Sequence, residues 1–116
     1  AIDVLGGNSR IELAQAQAAL QQRRNRELML AGVTLEAPAT TLVGPDCPIG
    51  ADTVLHGGVR IEGGAVLGRA CRIEANCVLR GCRLGDGVTV GANSVLHGGE
   101  FPAGTIVPPL TARSAV

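Results

Sequence analysis

Two histidines are the residues of this 116-residue sequence best suited to acid–base chemistry. A histidine can take a proton from an attacking amine or hydroxyl near neutral pH. His56 and His97 both stand in the sequence Val-Leu-His-Gly-Gly. A catalytic base also needs an orienting partner and an acceptor-binding clamp, and the chain has no Lys or Tyr to supply one. The duplicated context therefore indicates a repeated corner of the fold, and catalysis by either histidine is kept as the alternative.

Four cysteines are the other residues with chemical potential, and no two of them have the CxxC spacing of a zinc site. They are Cys47, Cys71, Cys77 and Cys82. Cysteine behaves as a small apolar residue when it is buried. We therefore expect four reduced, metal-free thiols that fill space in the core.

A large aliphatic residue returns every six positions from Val43 onward, with a single step of five between Leu79 and Leu84. Neither the 3.6-residue helical period nor the two-residue strand period produces a period of six. The pattern therefore comes from a larger repeating unit. Its aliphatic positions are Val43, Ile49, Leu55, Ile61, Leu67, Ile73, Leu79, Leu84, Val90 and Leu96.

A second, mostly small position follows four residues after each aliphatic one. A short strand whose first and fifth residues point the same way, followed by a glycine-rich corner, predicts a triangular solenoid with three hexapeptides per turn. The sequence thus predicts a mainly β protein, a parallel β-helix of a little over three turns. The small positions are Cys47, Thr53, Val59, Ala65, Cys71, Cys77, Cys82, Val88, Ser94 and Glu100.

One long α-helix is predicted before the repeat, over about residues 10–31. Ser9 and Glu12 form a capping-box signature, and Gly32 provides the stop. The helix is too weakly apolar to form a core by itself, so we expect a connector. Its arginines favour a solvated face over a phosphate-binding site. The thin apolar stripe comprises Ile11, Ala14, Ala18, Leu20, Leu28 and Ala31.

Prolines near the end of the chain predict a cap over the last turn. Pro102, Pro108 and Pro109 would stop further strand pairing on the exposed edge, and Phe101 is a candidate plug. The last six residues are expected to form a frayed tail.

Composition excludes several partners. Ten acidic residues against ten arginines leave no net charge to favour a nucleic acid or an anionic membrane. No apolar stretch approaches the roughly 20 residues that span a bilayer, and the first residues do not have a signal-like pattern. We therefore expect a cytoplasmic protein without a nucleic-acid or membrane partner.

Two segments around the predicted helix carry a family resemblance. Residues 7–14 (Gly-Asn-Ser-Arg-Ile-Glu-Leu-Ala), residues 26–35 (Arg-Glu-Leu-Met-Leu-Ala-Gly-Val-Thr-Leu) and Pro38 precede the hexapeptides. In this order they resemble the domain junction of the bifunctional N-acetylglucosamine-1-phosphate uridylyltransferase/glucosamine-1-phosphate acetyltransferase family. The resemblance covers about residues 4–96. It also implies a left-handed coil, whereas the general rule for parallel crossovers is right-handed.

The resemblance implies the following division of the chain. Residues 1–9 end a missing nucleotidyltransferase domain, and residues 10–32 form a linker helix. Residues 33–110 form the left-handed β-helix with its C-terminal cap, and residues 111–116 form the tail.

Asn8 matches the first Asn of the family's junction motif, which helps to hold magnesium beside the nucleotide. The neighbouring Gly7 and Ser9 depart from the motif, in which Val and a second Asn are usual. Asn8 is therefore expected to bind magnesium only if a nucleotidyltransferase domain precedes it. Its other interpretation is a neighbour of the helix N-cap.

By resemblance, the parent protein transfers a uridylyl group from UTP to N-acetylglucosamine 1-phosphate, with magnesium, for cell-envelope synthesis. The expected role of this chain is a non-catalytic, trimerising β-helix with no cofactor of its own. It would meet UTP and the sugar phosphate only through the missing domain. One alternative is a hexapeptide acetyltransferase that uses acetyl-coenzyme A with His56 or His97. Another is a stand-alone trimeric scaffold.

Overall fold

The computed structural model describes residues 9–115 as one helix followed by short strands wound into a parallel β-helix. This confirms the predicted mainly β class with one preceding helix. Helix α1 spans Ser9–Leu30, and a short 3-10 helix spans Pro38–Thr40. The strands are β1 (Thr34–Leu35), β2 (Leu42–Val43), β3 (Val54–Leu55), β4 (Arg60–Glu62), β5 (Val66–Leu67), β6 (Arg72–Ile73), β7 (Val78–Arg80), β8 (Arg83–Leu84), β9 (Thr89–Val90), β10 (Val95–His97), β11 (Glu100–Phe101), β12 (Ile106–Val107) and β13 (Ala112–Ser114).

The strands lie on three faces of the coil, and each turn from β3 to β11 contributes one strand to each face. The first face is the sheet β1-β3-β6-β9-β12, the second is β2-β4-β7-β10-β13, and the third is β5-β8-β11. A bridge between Ile49 and Leu67 extends the third face by one position. The chain therefore makes nearly five turns, compared with the predicted little over three, because Leu35 and Val107 also occupy core positions. The left-handed sense of the coil stays a prediction from the resemblance.

The hexapeptide register is confirmed, because equivalent aliphatic residues pair between turns. Leu55 pairs with Ile73, and Ile73 pairs with Val90. Ile61 pairs with Leu79 on the second face. These side chains are at most 1% exposed, so stacked aliphatic columns form the core. Ile49 is only partly buried.

A second step of five residues follows Leu96 and corrects the predicted place of Glu100. Glu100 pairs with Arg83 and faces outward, whereas Phe101 pairs with Leu84 and is buried. The small position next to Cys82 therefore belongs to Gly99. Gly99 has a φ of +88°, a left-handed conformation that glycine adopts without steric cost and that allows the shorter corner.

The prediction of a frayed tail over residues 111–116 is wrong for Ala112–Ser114, which form strand β13. Ala112–Ser114 pairs in parallel with Val95–His97, and the Ala115 N–H donates to the His97 carbonyl at 2.8 Å. Pro108 and Pro109 lie in the preceding corner, where a missing N–H removes no strand hydrogen bond. The coil therefore continues past the prolines.

The close stacking of turns leaves no room for a side chain at some corners. A Cβ atom built at Gly50 would lie 2.4 Å from the backbone carbonyl carbon of Gly68 in the next turn. A backbone neighbour at that distance cannot move aside without breaking the ladder. Glycine at this corner is thus required by the approach of two backbones.

Helix α1 ends in a Schellman motif that fixes its approach to the first turn. The Val33 N–H donates to the Leu28 carbonyl at 3.0 Å, and the Gly32 N–H donates to the Met29 carbonyl at 3.1 Å. Gly32 has a φ of +95°, as this motif requires. Leu28 and Val33 are both buried, so the end of the helix covers the start of the core.

Polar contacts and one residue of the predicted apolar stripe, Leu28, hold the helix against the first turn. Asn25 is 3% exposed and donates through Nδ2 to the carbonyls of Pro38 (2.9 Å) and Thr41 (3.1 Å). Arg24, expected in the solvated face, donates to the Cys47 carbonyl at 2.8 Å. Of the stripe, Leu28 is buried, whereas Ile11 and Leu20 are exposed. No helix in the described part of the chain is long and apolar enough to span a membrane.

The four cysteines lie in the core columns as expected. Cys47 and Cys82 share a column with Ala65 between them, whereas Cys71 and Cys77 lie in two other columns. All four are buried and none forms a disulfide. Burial raises the pKa of each thiol, that of Cys82 to about 11.

Replacement of Ile61 or Ile73 by Ala should lower the free energy of unfolding by about 2–5 kcal/mol, because each change leaves a cavity in a close-packed column. The exposed Arg72 provides the matched control, since Arg72→Ala should change stability by less than about 0.5 kcal/mol. Chemical denaturation monitored by circular dichroism measures both. Equal losses for Ile73→Ala and Arg72→Ala would refute the register.

The native thiols should react slowly with a thiol reagent at pH 8, because the thiolate is the reactive form and burial disfavours it. All four should react quickly after unfolding in guanidinium chloride. Fast reaction of four thiols in the native protein, or stoichiometric zinc in a metal analysis, would contradict the buried placement.

Candidate functional site

His56 is the histidine whose surroundings most resemble a catalytic arrangement. It follows Leu55 directly after β3 and lies beside the first turn. Its Nδ1 atom lies 2.7 Å from Oε1 of Glu36, within hydrogen-bonding distance. A carboxylate at Nδ1 fixes the ring orientation and leaves the lone pair of a neutral imidazole on Nε2, as in Ser-His-Asp triads.

The Nε2 atom of His56 is poorly placed to act as a base. It is buried and has no hydrogen-bond partner among residues 9–115. A general base must come within about 2.6–3.2 Å of the proton that it removes. The orientation of the ring therefore fits catalysis, but the accessibility of its free nitrogen does not.

Glu36 is the partner that sequence reasoning missed, although the repeat contains the signal. Glu36 follows the inward Leu35 as His56 follows the inward Leu55, and Leu35 and Leu55 pair between turns. The residues after paired positions come to lie side by side at the same corner. Glu74, which follows Ile73, occupies the next place in this row.

His97 lies on a different face and is not brought near His56. It belongs to β10 on the second face, where it pairs with Arg80 and Ser114. No hydrogen bond or ion pair is formed by its side chain within residues 9–115. The two Val-Leu-His-Gly-Gly segments thus mark corners of the coil, but on different faces.

Asn8, the expected magnesium ligand, lies outside the described residues, and its role stays a prediction. Among residues 9–115, no three His, Cys, Asp or Glu side chains are grouped as a metal site would require.

Several shallow grooves flank helix α1 where it crosses the first turns, and two of them include Val43 in their lining. One has a volume of about 470 Å³ and is lined by helix residues and by Leu42, Arg60 and Glu62 of the second face. The other, of about 410 Å³, is lined by Leu20, Arg24 and their neighbours. Neither lining includes a histidine. The grooves and the candidate bases are thus separate features.

A cluster of charged side chains on the second face is held together by hydrogen bonds between its members. Glu62 accepts hydrogen bonds from Nε of Arg80 at 2.8 Å and from Nε of Arg60 at 2.9 Å. These two arginines lower the pKa of the Glu62 carboxyl, Arg80 having the larger effect. With both oxygens engaged, Glu62 is held as a structural anion between two turns.

A family model described as a bacterial transferase hexapeptide of six repeats matches residues 64–98. These residues run from the corner before β5 to the corner after β10, and they include the first five-residue step. The match therefore covers a continuous part of the coil and agrees with the register above.

Three curated relatives named bifunctional protein GlmU match most of the chain. The protein from Desulfotalea psychrophila is 43% identical over 106 residues, which is 91% of this chain and 31% of the relative. The Pelobacter propionicus protein is 39% identical over 108 residues, 93% of this chain and 24% of its own. The Geotalea uraniireducens protein is 44% identical over 94 residues, 81% of this chain and 21% of its own.

This chain thus spans between about a fifth and a third of the relatives' length. Because the matches include both the helix and the repeat, they support the resemblance more specifically than hexapeptides alone. The chain is a hexapeptide-repeat protein related to a part of the bifunctional GlmU proteins.

Proposed function

We propose that this chain is the trimerising β-helix part of a protein that forms UDP-N-acetylglucosamine, and that it is not catalytic by itself. Its relationship over more than nine-tenths of its length to two bifunctional GlmU proteins is the observation that carries the proposal. The whole protein would transfer a uridylyl group from UTP to N-acetylglucosamine 1-phosphate, with magnesium bound in a preceding domain, and would work in the cytoplasm.

The structural role is supported by the positions of the possible catalytic groups. The free nitrogen of His56 is buried, and His97 lies on another face. Uridylyl transfer depends on groups that position phosphates and a metal ion, and the sequence has no phosphate-cradling glycine-rich loop. Asn8 alone could not hold a catalytic magnesium, which usually takes carboxylates together with substrate phosphates.

The second face is the proposed contact between subunits. At the outward position before each inward residue of this face, four of the five residues are apolar, a larger share than at the same position on the first and third faces. Val95 is 47% exposed and pairs in register with Val78, which forms a continuous apolar strip. The residues at this position are Leu42, Arg60, Val78, Val95 and Ala112, and the outward position after the inward residue carries Glu62, Arg80, His97 and Ser114. Association would bury surface that a small solenoid leaves exposed.

The purified chain should have the mass of a homotrimer in sedimentation equilibrium. Val95→Arg should lower this mass, because it places a charge in the proposed contact. Ile106→Arg is the matched control, since Ile106 is 75% exposed and lies on the first face. A monomeric wild-type chain at micromolar concentration would contradict the trimer, and equal behaviour of the two variants would contradict the chosen face.

An acetyltransferase is the second candidate function, and the contact between His56 and Glu36 favours it. A base oriented by a carboxylate could deprotonate an amine that attacks acetyl-coenzyme A. This reaction would require the buried Nε2 atom to become accessible. A stand-alone trimeric scaffold is the third candidate, and it differs from our proposal only in having no preceding catalytic domain.

The chain alone should catalyse neither reaction. Acetyl transfer is assayed with glucosamine 1-phosphate and acetyl-coenzyme A by following thiol release. Uridylyl transfer is assayed with UTP, magnesium and N-acetylglucosamine 1-phosphate by following pyrophosphate. The same assays on His56→Ala, His97→Ala and Glu36→Gln provide the controls.

Thiol release that disappears in His56→Ala and weakens in Glu36→Gln would establish the acetyltransferase alternative and overturn the scaffold role. Loss confined to His97→Ala would do the same for the other histidine. Turnover that is unchanged in all three variants would identify a contaminating enzyme.

A further inference from the structure

The apolar strip of the second face lies next to one particular corner of the coil. Val78 and Val95 each stand directly before the inward residue of their strand, on the side of the preceding corner. That corner joins the first face to the second and contains residues 75–76 and 92–93. The strip therefore borders the corner between the first and second faces.

This corner carries small and uncharged side chains, and its turns are stacked in register. The Asn76 N–H donates to the Gly57 carbonyl at 3.0 Å. The corner between the third and first faces instead carries charges, with Arg69 lying 3.6 Å from a carboxylate oxygen of Asp52. The corner between the second and third faces includes Asp46. Small uncharged residues allow another chain to approach without the cost of burying a charge. They are Gly57, Gly58, Ala75, Asn76, Ala92 and Asn93.

The first face borders the same corner through a row of titratable side chains. Glu36, His56 and Glu74 each follow directly after an inward residue of this face, and those inward residues pair between turns. Within this first-face row, Oε1 of Glu36 lies 2.7 Å from Nδ1 of His56. The row thus places a carboxylate in the turn on each side of one imidazole.

A ring of three copies requires two different surfaces on each chain, because each copy contacts one neighbour with one surface and the other neighbour with another. Val78 pairs with Val95 between turns, so the apolar strip runs along the coil. Neighbouring coils must therefore lie side by side to cover it. A three-sided coil with one corner on the threefold axis contacts its neighbours through the rows beside that corner, since its faces diverge from theirs farther out. The strip then faces the first-face row of the next copy.

The rise of the coil places Arg60 level with the first-face row of a neighbour. The second face follows the first by a third of a turn, which is about 1.6 Å of the roughly 4.8 Å between turns. Equivalent residues of side-by-side copies lie at the same height, so Arg60 stands between the heights of His56 and Glu74 of the next copy. Its Nε donates to Glu62 at 2.9 Å. A guanidinium has further N–H groups that can donate to a carboxylate.

We infer that the corner between the first and second faces lies on the threefold axis, and that Arg60 of each copy binds the first-face row of the next copy. The inference rests on the trimer proposed above and supplies its second surface. Ile106 stands before the inward residue of its strand, on the side of the first face away from this corner. It therefore stays outside the contact.

Asn76→Cys places a thiol at the axis, and Ala70→Cys is its matched control on the corner between the third and first faces. Both positions are exposed, and their φ values of +62° and +55° are similar. A short bismaleimide should convert Asn76→Cys into a species of twice the chain mass in denaturing electrophoresis. Ala70→Cys should keep the mass of a single chain. The four native thiols are buried and should remain unlinked.

The crosslinking result separates the inference from the trimer on which it rests. Absence of the doubled species in Asn76→Cys, or an equal yield in the two variants, would overturn the inference when the wild-type chain has the mass of a trimer. A monomeric wild-type chain would overturn the proposed trimer and the inference together.

Glu74→Arg tests the charge pairing, because it places two cations opposite each other across the contact. It should raise the dissociation constant of the trimer in sedimentation equilibrium by about tenfold or more. The further change Arg60→Glu should restore the wild-type constant, since opposite charges face each other again. Glu100→Arg makes the same change on the third face and should leave the constant unaltered.

A wild-type constant in Glu74→Arg, or no recovery in the double variant, would overturn the pairing of Arg60 with the first-face row. Arg60→Glu alone repeats the test if Glu74→Arg does not fold. It should weaken the trimer for the same reason, and an unchanged constant there would also overturn the pairing.

Discussion

The hydrogen bonds between successive turns are the interaction on which the rest of the structure depends. The His56 N–H donates to the Ile73 carbonyl at 2.9 Å, and the Glu74 N–H donates to the Val90 carbonyl at 3.0 Å. This ladder fixes the spacing of the turns at roughly 4.8 Å, so each inward side chain rests on its equivalents in the neighbouring turns. Because the spacing between turns is fixed, small residues stand beside large ones in the core, and glycine stands where two backbones approach each other. Ala70, in the corner before β6, has a φ of +55° although it is not a glycine. This conformation keeps the corner aligned with the equivalent corners of the neighbouring turns.

The core could be predicted from the sequence because the ladder imposes one period on it. Val43 to Leu96 were placed correctly since each turn repeats the same two inward positions. The register of Glu100 and Phe101 was not predicted correctly. A constant period of six residues does not allow for the corner at Gly99, which is one residue shorter. The extra turns were missed for a related reason. The 3-10 helix Pro38–Thr40 and the late prolines interrupt the spacing without interrupting the coil.

Polar contacts were much less predictable, since they join residues whose proximity depends on the length of a turn or on the angle of the helix. Asn25 looks like an ordinary surface residue of a polar helix, yet it is buried because two carbonyls of the first turn need donors there. The absence of Lys and Tyr argued against an acceptor clamp, and no orienting partner for His56 was identified in the sequence. The fold supplies Glu36, which stands 20 residues away in sequence and one turn away in space. An alignment of the sequence by turns, with Leu35 opposite Leu55, places Glu36 beside His56.

The pairing distances also bear on how the chain folds. Parallel sheets usually fold slowly because their strands are far apart in sequence, and closing a long loop costs entropy before contacts repay it. Here Leu55 meets Ile73 after 18 residues, and the later turns close over similar lengths. Each turn can therefore add to the one before it at a nearly constant cost, as in other repeat proteins. Helix α1, joined to the first turn through Asn25, offers a completed surface on which this growth can begin.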